Sequence, residues 1–312
     1  MNIKTMIDNE VNISSNNSPK VSIIVATYRR KETLERALQS LTAQTYPNFE
    51  VVVVDDNADV EWNIEVEKIV NSMKRLGDPE IIYFQNKINK GSAETRNIGI
   101  NLATGEYVTF LDDDDIYLPD KVKKQVEQMI KEDADYSITD LWLYDEKDRL
   151  IEIRTRDYIY DYSLESLMRY HIMYHLTGTD VIMFKKKYLI EIGLFSPINV
   201  GDEFHLMQKA IEKNGVFNYL PGCDVKAYVH IETDGLSSGD GKIKGENELF
   251  EYKKRYFDKL TKKDQRYVKM RHYAVIAYAE FRRKRYFSVI KYSCLSLMFS
   301  PTKFIDLLFK RK

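Results

Sequence analysis

The sequence predicts an α/β fold in which a mostly parallel sheet is covered by helices on both faces. Four short, continuously apolar runs in the first 111 residues have the character of buried strands, and segments of helical periodicity separate them. Alternation of this kind is typical of βαβ units, where a helix connects each pair of parallel strands.

The first part of the chain follows this alternation strand by strand. In order, we predict strands at 21–26, 50–54, 81–84 and 106–111, with helices at 31–43, 60–76, 91–102 and 120–131. Pro119 suits the first turn of the last helix because its fixed φ is already close to the helical value.

The later part of the chain has shorter elements and more connecting segments. We predict strands at 136–144, 180–184, 216–220 and 225–230, with helices at 164–170, 187–192 and 203–213. Residues 149–161 have the character of an extended connection, and the glycine- and serine-rich stretch 234–241 is typical of a loop. From about Glu246 the pattern becomes helical, basic and rich in tyrosine.

We therefore expect three regions: a disordered polar lead-in at 1–19, an α/β domain at 20–240 and a basic helical C-terminal extension at 241–312. The lead-in is rich in asparagine and serine and has no apolar core, so it is not a signal peptide. Cys223 and Cys294 lie far apart and have no metal-site spacing, which is typical of a reduced, cytoplasmic chain.

The net charge of −1 conceals a strong asymmetry. Residues 251–312 contain 18 Lys and Arg against 5 Asp and Glu, a net +13, which leaves −14 for residues 1–250. Apolar residues lie beside basic clusters at 282–287 and 304–312, a combination that suits an anionic membrane surface. The alternative is packing of these helices on the α/β domain or on a second subunit.

The sequence argues against a membrane-spanning helix and against nucleic acid as a partner. No stretch reaches the roughly 18 apolar residues of a membrane-spanning helix, so we expect at most peripheral contact with a membrane. No nucleic-acid-binding motif accompanies the positive charge, so we expect no nucleic acid. The sequence does not fix the oligomeric state.

Polar residues follow three of the predicted strands, at 27–29, 55–57 and 112–115. Because the carboxyl ends of parallel strands meet at one edge of a sheet, we expect these residues to form one site. The four consecutive aspartates of 112–115 repel one another, and a divalent cation that also binds a phosphate would relieve that repulsion. A calcium-binding EF-hand loop is excluded, because its glycine and its distal glutamate are missing. A phosphatase-type site is disfavoured, because its aspartate ends the first strand of the core, whereas three βα units precede this cluster.

Four segments carry a family resemblance in the expected order: 21–30, 52–57, 89–97 and 110–120. Together they resemble the family 2 glycosyltransferases, which have the Rossmann-like GT-A fold, over roughly residues 20 to 235. The resemblance implies an inverting transfer of a sugar from a nucleotide-sugar to an acceptor hydroxyl, with Mn²⁺ or Mg²⁺ as the cofactor.

The same resemblance assigns roles to individual residues. Asp114 would ligate the metal, with Asp112 as a second ligand, while Asp112 or Asp113 would contact the ribose or a metal-bound water. His230 would be a further metal ligand or touch the diphosphate, and a purely structural histidine is the alternative.

The nucleotide would lie against three further positions. Asp56 would accept the imide N–H that uracil and thymine carry, which indicates a UDP-sugar donor ahead of a dTDP-sugar. Ala26 and Tyr28 would line the nucleotide, with the Tyr28 ring on the base, and Arg96 would reach the base or the phosphates. An ordinary helix N-cap is the alternative role for the 55–57 segment.

An inverting transfer also needs a carboxylate that takes the proton from the acceptor hydroxyl. Matching Leu206 and Lys209 to the family's leucine and arginine puts Glu203 in that position. The family's order is Glu-Asp and this chain has Asp-Glu, so Asp202 remains a rival. The alternative for both residues is a capping box or a favourable charge at a helix N-terminus.

We therefore expect a metal-dependent hexosyltransferase that builds cell-surface polysaccharide on a saccharide or lipid-linked acceptor. One alternative is a sugar-phosphate nucleotidyltransferase, but its glycine-rich loop after the first strand is replaced here by the glycine-free segment 26–30. The other is a non-catalytic membrane-surface binding module, against which the intact acidic cluster and the 202–203 pair argue.

Overall fold

The computed structural model describes residues 18–75, 79–198, 200–229 and 239–310, so most of the predicted lead-in lies outside the described residues. Within these ranges the strands form one sheet of seven and one of four. The strands are β1 Val21–Thr27, β2 Phe49–Asp55, β3 Glu80–Gln85, β4 Tyr107–Phe110, β5 Ile116–Tyr117, β6 Tyr136–Thr139, β7 Leu141–Tyr144, β8 Leu150–Arg154, β9 Ile182–Lys185, β10 Phe217–Leu220 and β11 Val225–Tyr228.

Eleven α-helices occur in the same ranges, and a short 3₁₀ turn, Thr179–Val181, precedes β9. The helices are α1 Glu32–Thr42, α2 Val60–Lys74, α3 Ser92–Leu102, α4 Lys121–Lys131, α5 Leu164–Tyr174, α6 Lys186–Glu191, α7 Asp202–Glu212, α8 Gly239–Lys254, α9 Lys262–Arg282, α10 Tyr286–Phe299 and α11 Pro301–Lys310.

The large sheet has the order β10-β6-β9-β4-β1-β2-β3. Its neighbouring strands are parallel except that β9 runs antiparallel to both β4 and β6. The central strands β1, β2 and β4 are buried along nearly their whole length, because helices cover both faces of the sheet. The predicted α/β fold with a mostly parallel sheet and C-terminal helices is confirmed.

The single strand predicted at 136–144 is wrong, because the chain changes sheets at Asp140. Residues on one side form β6 in the large sheet, and those on the other form β7 in the small sheet. The buried Asp140 carboxylate accepts hydrogen bonds from the Arg156 amide, the Tyr219 hydroxyl and the Gly222 amide, at 2.6–2.9 Å. A buried carboxylate needs such partners, and meeting them fixes the break in the strand.

Two predicted connections are also partly regular structure. Residues 149–161 contain β8, which pairs antiparallel with β7 to form a hairpin. The Asp145 carboxylate closes that turn by accepting the amides of Lys147 and Arg149, at 3.0 and 2.9 Å. The predicted loop at 234–241 is wrong at its end, because α8 begins at Gly239.

The C-terminal helices pack on the α/β domain through shared apolar residues. Leu249, Leu260 and Val268 belong to the same buried cluster as the strands. At Gly245 of α8, a Cβ atom would lie 2.3 Å from Cβ of Val200, so only glycine permits this approach to the segment before α7. The predicted division after residue 240 stays a prediction, and α8 runs across it.

None of the helices that the structure describes combines the length and the apolar character needed to cross a membrane.

A buried carboxylate at the amino-terminal edge of the sheet yields a stability prediction. Glu50 is fully buried and accepts hydrogen bonds from the Ser22 hydroxyl and from the Thr104 amide and hydroxyl, at 2.6–2.7 Å. Burial raises its pKa, but these bonds and Lys20, 2.6 Å away, outweigh that effect and lower the pKa to about 2. We expect Glu50→Gln to lower the free energy of unfolding by about 1–3 kcal/mol, measured by urea denaturation at pH 7.

Glu80 is the matched control, because it is an exposed carboxylate that binds the same Lys20 at 3.0 Å. Glu80→Gln should change the free energy of unfolding by less than about 0.5 kcal/mol. Since the pKa of Glu50 is lowered on folding, its contribution is present at neutral pH and is lost as the pH falls from about 4.5 towards 2. Equal losses for the two variants at pH 7 would contradict the buried-network explanation.

Candidate active site

The three polar segments predicted at one edge of the sheet do come together there. The Tyr28 amide, just after β1, donates to Oδ2 of Asp113 at 3.2 Å. The Arg29 amide donates to Oδ1 of Asn57, just after β2, at 2.6 Å. Ala26 lies one residue before the end of β1. The Tyr28 ring is exposed, and Cζ of the Arg29 guanidinium lies 5.2 Å from the centroid of that ring.

Asp56 is buried and holds the start of α3. Its carboxylate accepts from the Asn86 side chain and from the amides of Lys90 and Gly91, at 2.8, 2.8 and 2.9 Å. A carboxylate has about four acceptor positions, so these three contacts, counted among the described residues, leave one for a ligand. Recognition of a base by Asp56 stays a prediction, and its described contacts give it a second task in positioning α3.

The next feature is the pair of adjacent carboxylates at Asp113 and Asp114. Arg30 reaches both of them, with Nη2 at 3.1 Å from Oδ2 of Asp114 and Nε at 3.9 Å from Oδ1 of Asp113. Burial and the neighbouring Asp114 raise the pKa of Asp113 to about 7. The crowded negative charge and the all-oxygen donors are what a hard divalent cation requires.

Three carboxylates form a second cluster next to this pair. Asp112, Asp115 and Asp180 each place one oxygen within 4.8 Å of the others, close enough to share a metal ion. Burial and Asp112 raise the pKa of Asp180 to about 8, and burial and Asp180 raise that of Asp115. The Asp112 amide donates to Asp180 at 2.7 Å, and the Tyr228 amide donates to Asp115 at 2.7 Å.

Arg96 of α3 connects the acidic loop, residues 112–115, to α7, the helix on which Asp202 and Glu203 lie. Its Nη2 donates to Oδ1 of Asp112 at 2.8 Å, and its Nη1 donates to Oδ2 of Asp202 at 3.1 Å. The side chain is buried, and burial lowers its pKa, but the charges of Asp112, Asp202 and Glu203 outweigh burial and raise it. The guanidinium therefore stays charged and joins the two ends of the site.

Asp202 and Glu203 open α7 and point to different partners. The N-cap is Gly201 at φ +88°, which has no side chain, so a capping box does not form. Asp202 accepts from Arg96, whereas Glu203 accepts from the Thr179 hydroxyl. Burial and Asp202 raise the pKa of Glu203 to about 7, while burial raises that of Asp202 against the pull of Arg96.

The sequence motifs assign no role to Asp180, and its neighbour Thr179 donates to Glu203. Both lie in the 3₁₀ turn before β9, where a polar pair next to an apolar run was the available signal. Asp115 is buried beside Asp180. His230 lies outside the described residues.

Comparison with known proteins finds similar glycosyltransferases, among them a relative whose name states its reaction. It is the UDP-Glc:alpha-D-GlcNAc-diphosphoundecaprenol beta-1,3-glucosyltransferase WfaP of Escherichia coli, 36% identical over 132 residues. That stretch is 42% of this chain and 49% of WfaP, so the chain matches about half the length of this relative.

Two solved structures share the fold over most of both chains. S. aureus TarS 1-349 in complex with UDP-GlcNAc has a TM-score of 0.56 at 18% identity and covers 88% of this chain and 89% of its own. The mannosyltransferase PcManGT from Pyrobaculum calidifontis, in complex with GDP-Man and Mn²⁺, has a TM-score of 0.58 at 16% identity and covers 93% and 88%. At these identities the likeness shows the GT-A fold alone.

The family comparison covers a longer stretch of the chain than the match to WfaP. The model for Glycosyl transferase family 2 matches residues 22–192, more than half of the chain, and includes every segment that builds the acidic loop and the Arg96 helix. The chain therefore belongs to glycosyl transferase family 2.

Proposed function

We propose that the protein transfers a sugar from a UDP-sugar to a hydroxyl of a saccharide or lipid-linked acceptor, with inversion at the anomeric carbon. The observation that carries the proposal is the double ion pair of Arg96. It sets the acidic loop, where a diphosphate and its metal would lie, next to the helix that offers Glu203. Leaving-group stabilisation and proton removal are the two tasks of such a transfer.

The donor and acceptor classes are inferred from different observations. The free acceptor position of buried Asp56 suits the imide N–H of uracil, and TarS and WfaP are both named with UDP-sugars. PcManGT is named with GDP-Man, so the fold itself does not select the base. WfaP acts on a lipid diphosphate, which supports an acceptor of that class and a role in polysaccharide synthesis.

Asp114 and Asp112 would hold the divalent cation, with Asp113 facing the ribose. When bound, Mn²⁺ or Mg²⁺ supplies positive charge that stabilises the departing diphosphate. Arg30 contacts Asp114 and lies close enough to meet the same diphosphate. Asp115 and Asp180 are a buried pair next to these proposed ligands. Their raised pKa values fit two carboxyl groups that share a proton.

The chain's own chemistry in the transfer is proton removal by Glu203. The acceptor oxygen forms a bond to the anomeric carbon as the bond from that carbon to the diphosphate oxygen breaks, and the acceptor proton moves to the Glu203 carboxylate. Asp202 is the weaker candidate, because its carboxylate is paired with the positive charge of Arg96, whereas Glu203 is hydrogen-bonded to the neutral Thr179 hydroxyl. We assign Asp202 to positioning the guanidinium.

The metal assignment is tested with nucleotide binding as well as turnover. We expect UDP release from at least one member of a panel of UDP-sugars, dependent on Mn²⁺ or Mg²⁺. Asp114→Ala should lower metal-dependent UDP binding at least about tenfold in calorimetry, because a direct ligand is removed. Asp180→Asn keeps an oxygen that can accept the Asp112 amide, so it should lower that binding less than Asp114→Ala does; the reverse result would move the metal to Asp112, Asp115 and Asp180.

The base assignment is tested by a pair of neutral replacements. Glu203→Gln should lower the turnover number about 10²- to 10⁴-fold while UDP binding is retained, because only proton removal is lost. Asp202→Asn should weaken UDP binding as well, since Arg96 loses one of its two ion-pair partners. If Asp202→Asn alone lost turnover and kept UDP binding, the two roles would be exchanged.

A pH profile gives a third test of Glu203. Its pKa is raised to about 7, so the carboxyl holds its proton below that pH and cannot accept another. We expect the turnover number to fall with decreasing pH through an inflection near pH 7, and Glu203→Gln to lose the inflection. A profile that is flat down to pH 5 would rule out Glu203 as the base.

A further inference from the structure

Helix α10 carries apolar residues on every side, yet it packs mainly through one side, against α9. Its inner face lies on α9, where the Ser296 hydroxyl donates to the Met270 carbonyl at 2.7 Å. The rings of Tyr292 and Phe299 lie over Tyr273 on the same face, with centroids 6.3 and 5.6 Å away. A helix that is apolar all round is ordinarily covered on every side.

The outer face of α10 is an exposed apolar stripe. Its members recur at intervals of three and four residues, and at about 100° per residue they lie opposite the packed face. They are Phe287 (93% exposed), Ile290, Cys294, Leu297 and Met298 (74% exposed). A contiguous apolar surface of this kind marks a site of interaction.

The charge around the stripe limits what can cover it. The sequence from Phe281 to Lys303 contains six Lys and Arg and no Asp or Glu. Lys284, Arg285 and Lys291 are exposed, and Lys291 lies at the edge of the stripe on α10. A second copy of this chain would bring the same positive charges face to face, whereas an anionic bilayer offers both apolar depth and opposite charge.

We propose that the outer face of α10 docks on an anionic lipid bilayer. Phe287 and Met298 enter the boundary between the headgroups and the acyl chains, and the basic residues contact the headgroups. The helix would lie in the plane of the membrane surface. The proposal is independent of the transfer reaction, so it can fail or hold without affecting the assignment of the active site.

The test measures binding of the full chain to vesicles by co-sedimentation and by fluorescence. Cys294 is an exposed thiol on the stripe and Cys223 is buried, so an environment-sensitive dye can be placed on the proposed contact surface. We expect binding to vesicles with about one-third phosphatidylglycerol to exceed binding to phosphatidylcholine vesicles at least tenfold, with a blue shift of the dye. Raising the salt from about 0.1 to 0.5 M should weaken the binding.

Two variants separate apolar from electrostatic contributions. Phe287→Glu with Met298→Glu should lower vesicle binding at least about tenfold, and Lys284→Ala with Lys291→Ala should lower it about fivefold per charge removed. The control is Leu150→Glu with Ile153→Glu, which makes the same change at two exposed apolar residues of β8 and should leave binding unchanged.

Equal binding to neutral and anionic vesicles would overturn the proposal. So would equal losses for the α10 pair and the β8 pair. If the α10 pair instead converts a stable dimer to a monomer in sedimentation equilibrium and vesicle binding persists, the stripe is a protein interface and the membrane assignment is wrong.

Discussion

The candidate site depends on one buried cation, the guanidinium of Arg96. It holds Asp112 at the end of β4 and Asp202 at the start of α7, two residues that are distant in sequence. A buried charge of this kind is costly unless both partners are present, and loss of one partner leaves the others uncompensated. The same contact therefore maintains the charge balance of the site and fixes the separation of its two functional ends.

Other carboxylates support this arrangement from behind. Asp56 binds the amides at the start of α3 and so sets the position of the helix on which Arg96 lies. Asp180 accepts the Asp112 amide and so fixes the other partner. In the proposed site, the acidic residues thus divide into those that would face a ligand and those that hold the neighbouring residues in place, although their chemistry is the same.

The strand and helix order of the first half was predictable because buried parallel strands are continuously apolar and end in polar residues at one edge. The change of sheets at Asp140 was not predictable, since the residues on both sides are equally strand-forming and the break depends on partners 16 to 82 residues away. For the same reason the motifs predicted the Asp202-Glu203 pair but not its division of contacts. That division depends on Arg96 and Thr179, which only the folded chain brings to α7.

The close approach of Gly245 to Val200 has a consequence for modularity. Because α8 touches the segment directly before α7, the C-terminal helices and α7 share a boundary that has no room for a side chain at Gly245. The C-terminal extension therefore cannot be exchanged independently of α7 and the segment before it. A chimaera that grafts the tail of another family member onto this sheet would need to replace both surfaces together, and natural recombination within the family would face the same constraint.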